Sequence, residues 1–303
     1  MSLRERLASG GFAVTAEISP PRGASTQPIT KTAASLKDWV DAVNVTDNQG
    51  SNVRLASWAG SLALLEAGLE PVMQMTCRDR NRIALQSDLL GASALGIRNI
   101  LVMTGDHPKF GDHPGAKPVF DLDSVQLLWT LRTMRDQHVL LSGRKLDPAP
   151  DCFLGAVENP FAPPVEFRAG RLGKKVAAGA QFVQTQFVFD VPAFARWMAQ
   201  VRDLGLTEHC AILAGVGAVR SVKALDYMHS HVPGVEVPGH VFQRLRSVPP
   251  GHQAKEGTKL AAEIVQQVAE IAGVAGVHLL VAGNERAVPE IIQNAGTRVN
   301  DGR

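Results

Sequence analysis

Short apolar segments alternate with helix-like amphipathic ones from one end of the chain to the other, and this alternation restricts the fold more than any other feature. The strand candidates are Gly11–Ile18, Ala42–Thr46, Glu70–Cys77, Asn99–Thr104, Cys152–Val157, Phe182–Phe187, Cys210–Ala214 and Gly276–Val281. Between them run Val53–Ala67, Arg82–Leu95, Ser124–Gln137, Val165–Ala178, Val191–Leu204 and Lys259–Ala272. In Arg82–Leu95 the apolar positions Ile83, Leu85, Leu89, Leu90 and Leu95 follow a rough helical spacing. Eight strand signals interleaved with helices in 303 residues predict an α/β fold, a (β/α)8 TIM barrel forming a single domain over 1–303. A doubly wound open sheet shares the alternation, but the first strand lacks the G-x-G-x-x-G turn of a dinucleotide-binding sheet.

Charge and composition narrow the function classes. A formal net charge of +2 and 5% aromatic residues give no support for a nucleic-acid stripe or a polybasic membrane patch. The start, MSLRERLASGGF, has no apolar core of a signal peptide, and no apolar run approaches a membrane span, so a soluble cytoplasmic protein is expected. Cys77, Cys152 and Cys210 are far apart, form no C-x-x-C and lie in or beside apolar stretches, the pattern of buried reduced thiols.

Three stretches break the regular spacing. Gly105–Asp123 and Leu141–Asp151 are loops rich in Gly, Pro, Asp and Lys, and long loops in a compact domain are more often functional than accidental. Val232–Gln253 is irregular and is expected to hold a short extra helix.

In a barrel the active site lies at the C-terminal ends of the strands. Those ends read Glu17, then Thr46-Asp47-Asn48-Gln49, Gln74-Met75-Thr76-Cys77, Thr104-Gly105-Asp106-His107, Glu158-Asn159 and Gln184-Thr185-Gln186. One polar strand end is an ordinary turn or cap; a succession converging on one rim points to a ligand rich in hydrogen-bonding groups. Glu17 closes the apolar run Phe12-Ala13-Val14-Thr15-Ala16, where an unpaired charge costs several kcal/mol, roughly. It is read either as a salt bridge to Arg22 or as a partly desolvated carboxyl with a raised pKa, able to deliver a proton near neutral pH. Asp106 is the second acid of the rim, and two carboxyls in unlike surroundings can divide proton donation from charge stabilisation.

The repeated Asp-His-Pro of TGDHPKFGDHPGAK (Thr104–Lys117) raises a metal site, but a Pro after each His favours extended turns that hold His107 and His113 apart, and no metal is expected. Lys174 and Lys175 near a helix end suit either the helix dipole or a phosphate. Phe187, Phe189 and Phe194 are expected mostly in the core, with Phe189 the candidate to stack on a substrate ring.

Taken in order, Glu17 followed by S-P-P-R, VNVTDN, QMTCRDRN, LVMTGDHP, KKVAAGAQFVQTQFVFD and the late EGTKLAAEIVQQVAEIAGVAGVHLLVAGN resemble the 5,10-methylenetetrahydrofolate reductase family over nearly the whole chain. The resemblance implies a TIM-barrel oxidoreductase that reduces 5,10-methylenetetrahydrofolate to 5-methyltetrahydrofolate with NADH or NADPH through FAD. It implies that Glu17 protonates N10, that Asp106 and Gln186 contact the pterin, and that Thr46, Thr104, Gly105, Asp106 and Lys175, which fall on matching positions, bind the cofactor; Gln74, Asn159 and Lys174 are taken as further cofactor-binding candidates beside them. The sequence departs from the family on the flavin side. Gln74 stands where a histidine is usual, GAVENPFAPP lacks the usual Tyr and His, and Arg168 and Arg171 replace an acid and an amide. Two alternatives therefore stand beside the flavoenzyme: a flavin-free reductase with direct hydride transfer, and a folate-binding accessory subunit dependent on a partner. The choice of nucleotide and the oligomeric state, a homo-oligomer included, are left open.

Overall fold

A strand wrapped by helices on one side and by other strands on the other is buried on both faces, and so reads as a continuous apolar run. The runs named above form such strands: β1 (Ala13–Ile18), β2 (Ala42–Val45), β3 (Pro71–Thr76), β4 (Asn99–Met103), β5 (Phe153–Glu158), β6 (Phe182–Phe187), β7 (Ala211–Val216) and β8 (Val274–Leu279). They pair in sequence order, all parallel, and the sheet closes on itself where Ala13 to Ala16 of β1 register with Gly276 to Leu279 of β8. The structure is a computed structural model that describes residues 1–297 other than 233 and 282; the end of the expected 1–303 domain, 298–303, lies outside the described residues.

Helices surround the barrel: α1 (Leu3–Ala8), α2 (Gln27–Leu36), α3 (Ser57–Glu66), α4 (Arg82–Ala94), α5 (Ser124–Gln137), α6 (Arg168–Ala178), α7 (Val191–Asp203), α8 (Val222–His231), α9 (Gly239–Arg246), α10 (Gln253–Ala269) and α11 (Val288–Ala295). The extra helix expected within Val232–Gln253 is α9. Helix α3 begins later than the sequence pattern suggests, because the residues before it belong to the loop after β2, whereas α10 begins earlier, at Gln253. Among the described residues no helix is long and apolar enough to cross a membrane.

Two cores hold the fold. The larger lies between strands and helices; Leu64, Leu85, Leu89, Leu128, Leu172, Phe194 and Val265 are buried there against β1–β8. The smaller fills the N-terminal end of the barrel, where Ala13, Ala42, Val72, Leu101, Phe153, Phe182 and Leu213 meet Leu3 of α1. Phe153 and Phe182 stack there with centroids 5.1 Å apart. A Cβ on Gly155 would come within 2.2 Å of the Phe182 ring, so the glycine makes room for that stack. Helix α1 is fixed by a capping box between Ser2 and Glu5, and its Leu3 N–H donates to Glu70. The lower end of the barrel is thus plugged, and a ligand site is left at the other end.

The loop Leu141–Asp151 does not reach that other end. It connects α5 to β5 and so lies at the N-terminal side, where Asp151 pairs with Arg4 at 3.1 Å and Arg98 at 3.4 Å. It therefore does not contribute to the rim on which the ligand site lies, contrary to the functional expectation, because only loops that follow strands face that rim.

Candidate active site

Alternation along β1 turns Thr15 and Glu17 into the barrel while Val14 and Ala16 pack outward. Asn44 on β2, Gln184 on β6 and His278 on β8 also point inward, and they join into one buried chain. Asn44 Nδ2 donates to Gln184 Oε1 at 2.6 Å, and Gln184 Nε2 donates to Asn44 Oδ1 at 3.1 Å and to Thr15 Oγ1 at 3.2 Å. Thr15 Oγ1 lies 2.9 Å from His278 Nδ1, and His278 Nε2 lies 3.8 Å from Glu17 Oε2. The carboxyl at the end of this chain is 6% exposed. Arg22, the alternative partner read from the sequence, is exposed and donates instead to Asn52.

Above the chain lies a cavity of about 410 Å³, lined among others by Glu17, Thr46, Gln74, Thr104, Gly105, Asp106, Asn159, Lys175 and Gln186. The barrel therefore brings together every cofactor and catalytic candidate except Lys174, together with Gln186. Lys174 is exposed on the outer side of α6, in an adjoining depression with Phe167, Arg168 and Arg171. Phe189 does not line the cavity either: it is 4% exposed and stacks at 5.8 Å on Phe187, and Phe187 faces an adjoining cavity.

The rim is held by charged groups below it. Asp47 Oδ2 accepts from the Thr76 N–H at 2.8 Å and from its hydroxyl at 2.9 Å, and it pairs with Arg80, which also holds Asp88. Arg78 is nearly buried, pairs with Asp79, and donates to Ser51 Oγ at 3.1 Å. The QMTCRDRN stretch thus ties the loop after β2 to the end of β3. Ser51 in turn donates to the Asp106 carbonyl at 2.9 Å, and Asp112 accepts from the Val53 N–H. Gly105 has φ +89°, and a Cβ there would press on Thr76 and Arg78, so both backbone and space call for glycine.

At the β5 end, Glu158 Oε2 sits 3.0 Å from Lys175 Nζ, with both side chains at most 3% exposed. Arg171 and Arg168 approach the other carboxylate oxygen at 3.7 and 3.9 Å. Burial pushes the Lys175 ammonium below its usual range, Glu158 opposes this, and the two arginines add to it. One carboxylate faces three cations, so the cluster carries surplus positive charge. Thr46 Oγ1 is buried at the cavity wall with no hydrogen-bond partner among the described residues. An anion with hydroxyl or carbonyl groups beside it would satisfy both features.

Within the Asp-His-Pro loop His107 Nδ1 accepts from the Lys109 N–H and His113 is exposed. Among the described residues no group of three His, Cys, Asp or Glu side chains could hold a metal ion. The three cysteines are buried thiols, with burial pushing Cys77 and Cys210 up to about 12 and Cys152 to about 11.

Sequence reasoning missed His278, Asn44 and Thr15 as members of the site. The signal available was a polar residue within an otherwise apolar strand, at an inward position.

Comparison with known proteins gives the same outline. A "Probable methylenetetrahydrofolate reductase (NADPH)" of Caenorhabditis elegans is 25% identical over 262 residues, covering 84% of this chain and 37% of that protein. The "5,10-methylenetetrahydrofolate reductase" of Pectobacterium carotovorum subsp. carotovorum is 25% identical over 221 residues, covering 72% of this chain and 67% of that protein. The chain spans about two fifths of the length of the eukaryotic relatives it matches, at 37%, 39% and 42%. Among solved structures, a Clostridium thermocellum protein described as binding two copies of 5-methyl-5,6,7,8-tetrahydrofolic acid shares the fold, with TM-score 0.67 and 12% identity over 97% of this chain and 99% of that one. The family profile described as methylenetetrahydrofolate reductase matches residues 2–296, so the barrel, its polar rim and the buried Glu17 come in one continuous match, and the chain belongs to the methylenetetrahydrofolate reductase family.

Proposed function

We propose that the protein reduces 5,10-methylenetetrahydrofolate to 5-methyltetrahydrofolate with NAD(P)H, and that Glu17 is the acid that opens the ring. The observation that carries this is the placement of Glu17: a buried carboxyl touching an imidazole below and facing a hydrogen-bonding cavity with Asp106 and Gln186 above. Asp106 and Gln186 would hold the pterin. Glu17 gives its proton to N10, the bond between N10 and the methylene carbon breaks, and the methylene stays on N5 as an iminium. A hydride then converts it to the methyl group. The fixed barrel wall supplies orientation, and the polar chain ending at His278 sets the direction of the carboxyl.

FAD would lie along the β2–β6 rim. The unpartnered Thr46 hydroxyl, the Gln74 amide and the surplus charge of Arg168, Arg171 and Lys175 suit a pyrophosphate with a polar ring system. When bound, FAD supplies hydride carriage from NAD(P)H to the folate. A flavin-free variant of the same reaction is favoured by one observation. Lys175 is committed to Glu158, and Arg168 donates to the carbonyls of Ala162 and Pro163, so two cations of the cluster are already engaged. The visible spectrum of unsupplemented protein, and of its supernatant after denaturation, separates the two: a flavin band near one per chain supports FAD, and a colourless protein that cannot be reconstituted supports direct transfer.

The acid role is tested by Glu17→Gln. Turnover is expected to fall by about 10²- to 10⁴-fold while 5-methyltetrahydrofolate still binds with roughly its original affinity. Unchanged turnover would sink the acid role; a folate-binding accessory subunit would show binding and no turnover in either form.

A further inference from the structure

A separate cavity, of about 600 Å³, lies between the loop after β5, helix α7 and the segment that follows α8, and it shares no lining residue with the candidate active site. Phe161, Val165, Trp197 and Val237 give it apolar and aromatic walls. Some of its polar side chains are already engaged. Asp190 caps α7 by accepting from the Ala193 N–H at 2.8 Å, and His229 Nδ1 accepts from the Val237 N–H at 3.3 Å. Arg196, from α7, and Glu236, from the segment after α8, line the same cavity without meeting. Among the described residues neither side chain has an ion-pair or hydrogen-bond partner. Trp197 is 2% exposed, and its indole Nε1 is buried with no acceptor among the described residues. A buried donor of that kind is costly unless an acceptor reaches it.

We infer that this cavity binds a zwitterion with a large apolar side chain, an α-amino acid or a compound carrying that group, and that its occupancy is felt in the active site. A cavity of this size takes a small organic ligand rather than a lone ion. An ion of either sign would find one free partner here and one group of its own charge, whereas a molecule with both charges answers Arg196 and Glu236 together. Its carboxylate goes to Arg196 and the Trp197 N–H, its ammonium to Glu236, and its side chain to Phe161 and Val165. The link to the active site is Asn159, which lines that cavity, donates from Nδ2 to the Gly234 carbonyl at 3.1 Å and accepts at Oδ1 from the Phe161 N–H at 3.0 Å. A Cβ on Gly234 would come within 1.8 Å of that Nδ2, so the segment leading to Glu236 sits directly on Asn159. Two walls of the outer cavity thus hang on one side chain of the active site, and a ligand that draws Phe161 and Glu236 together fixes it. Binding in the outer cavity does not require the reaction proposed above.

Titration calorimetry on the full chain tests this with L-phenylalanine, with 2-phenylethylamine, which lacks the carboxylate, and with 3-phenylpropanoate, which lacks the ammonium. L-Phenylalanine is expected to bind once per chain, at least about tenfold tighter than either fragment. Arg196→Ala is expected to weaken L-phenylalanine and 3-phenylpropanoate about tenfold and to spare 2-phenylethylamine. Glu236→Gln is expected to weaken L-phenylalanine and 2-phenylethylamine by a similar factor and to spare 3-phenylpropanoate. Saturating L-phenylalanine should shift the dissociation constant of 5-methyltetrahydrofolate about fivefold or more, and saturating folate should shift that of L-phenylalanine by the same factor. No binding of L-phenylalanine up to about 10 mM, or binding that neither variant weakens, overturns the site. Binding that leaves folate affinity unchanged overturns the link through Asn159 and upholds the site. A chain that binds L-phenylalanine as described but no folate upholds the site and overturns the reductase reading.

Discussion

Removing the carboxylate from the Glu158–Lys175 pair offers a quantitative check on the site's electrostatics. Both side chains are almost fully buried and 3.0 Å apart, and Lys175 also donates to the Val157 carbonyl. In Glu158→Gln the amide oxygen can still accept from the Asn159 N–H, so shape and one hydrogen bond persist. What is lost is the countercharge of a buried ammonium that already sits near Arg168 and Arg171. Breaking a buried pair in this way costs about 3–5 kcal/mol. For a chain of this length that lowers Tm by roughly 5–8 °C. The deficit should shrink as pH rises. Burial already depresses the ammonium's pKa, the substitution depresses it further, and the unfolded chain then binds more protons, so stability increases with pH until the unfolded lysine titrates near about 10.4. Adding Lys175→Met removes the stranded charge, and the double variant should recover most of the loss, leaving a coupling of at least about 2 kcal/mol. Urea unfolding of the four proteins at two pH values measures this cycle. A cost below about 1 kcal/mol for Glu158→Gln, or strict additivity, would refute the view of a dry, mutually dependent pair.

Other outcomes follow from features elsewhere. The Arg82 side chain and backbone N–H hold the Asp121 carboxyl at about 2, below its ordinary 3.8, so it adds stability above pH 3.8 that is lost as pH falls towards about 2; Asp121→Asn should flatten that part of the acid-unfolding curve. Phe182→Ala should cost about 3–5 kcal/mol by emptying the lower core, measured by urea unfolding. The three buried thiols should resist a disulfide reagent near pH 8 in the native protein and react together on unfolding, as a timed thiol titration would record.

The strands were legible because double-sided burial leaves long apolar runs, and the rim was legible because those runs end in polar residues. Helix α1 was not: its few turns look charged, and its purpose appears only when Leu3 is seen beneath the barrel, although Ser2 and Glu5 already spell a capping box. Lys174 and Lys175 are adjacent in sequence, but α6 buries Ala169, Leu172, Lys175 and Ala178, and that three-residue rhythm separates the inward lysine from the outward one. Phe187, the last residue of β6, faces open space, whereas Phe189 lies beyond the strand end and is buried, a difference that two phenylalanines two residues apart do not announce. His278 and Thr15 are distant in sequence and meet only when the barrel closes.

The paired amides of Asn44 and Gln184 reach across the barrel from β2 to β6, two strands that are not neighbours in the sheet. They act as a crossbar whose length is the sum of one short and one long side chain, so the bore of the barrel at this level is set by chemistry rather than by hydrophobic filling alone. Spreading or flattening the cylinder would pull both hydrogen bonds apart at once. Because the bar also holds Thr15, any such deformation is felt at His278 and Glu17, and the acid inherits its steadiness from the opposite wall.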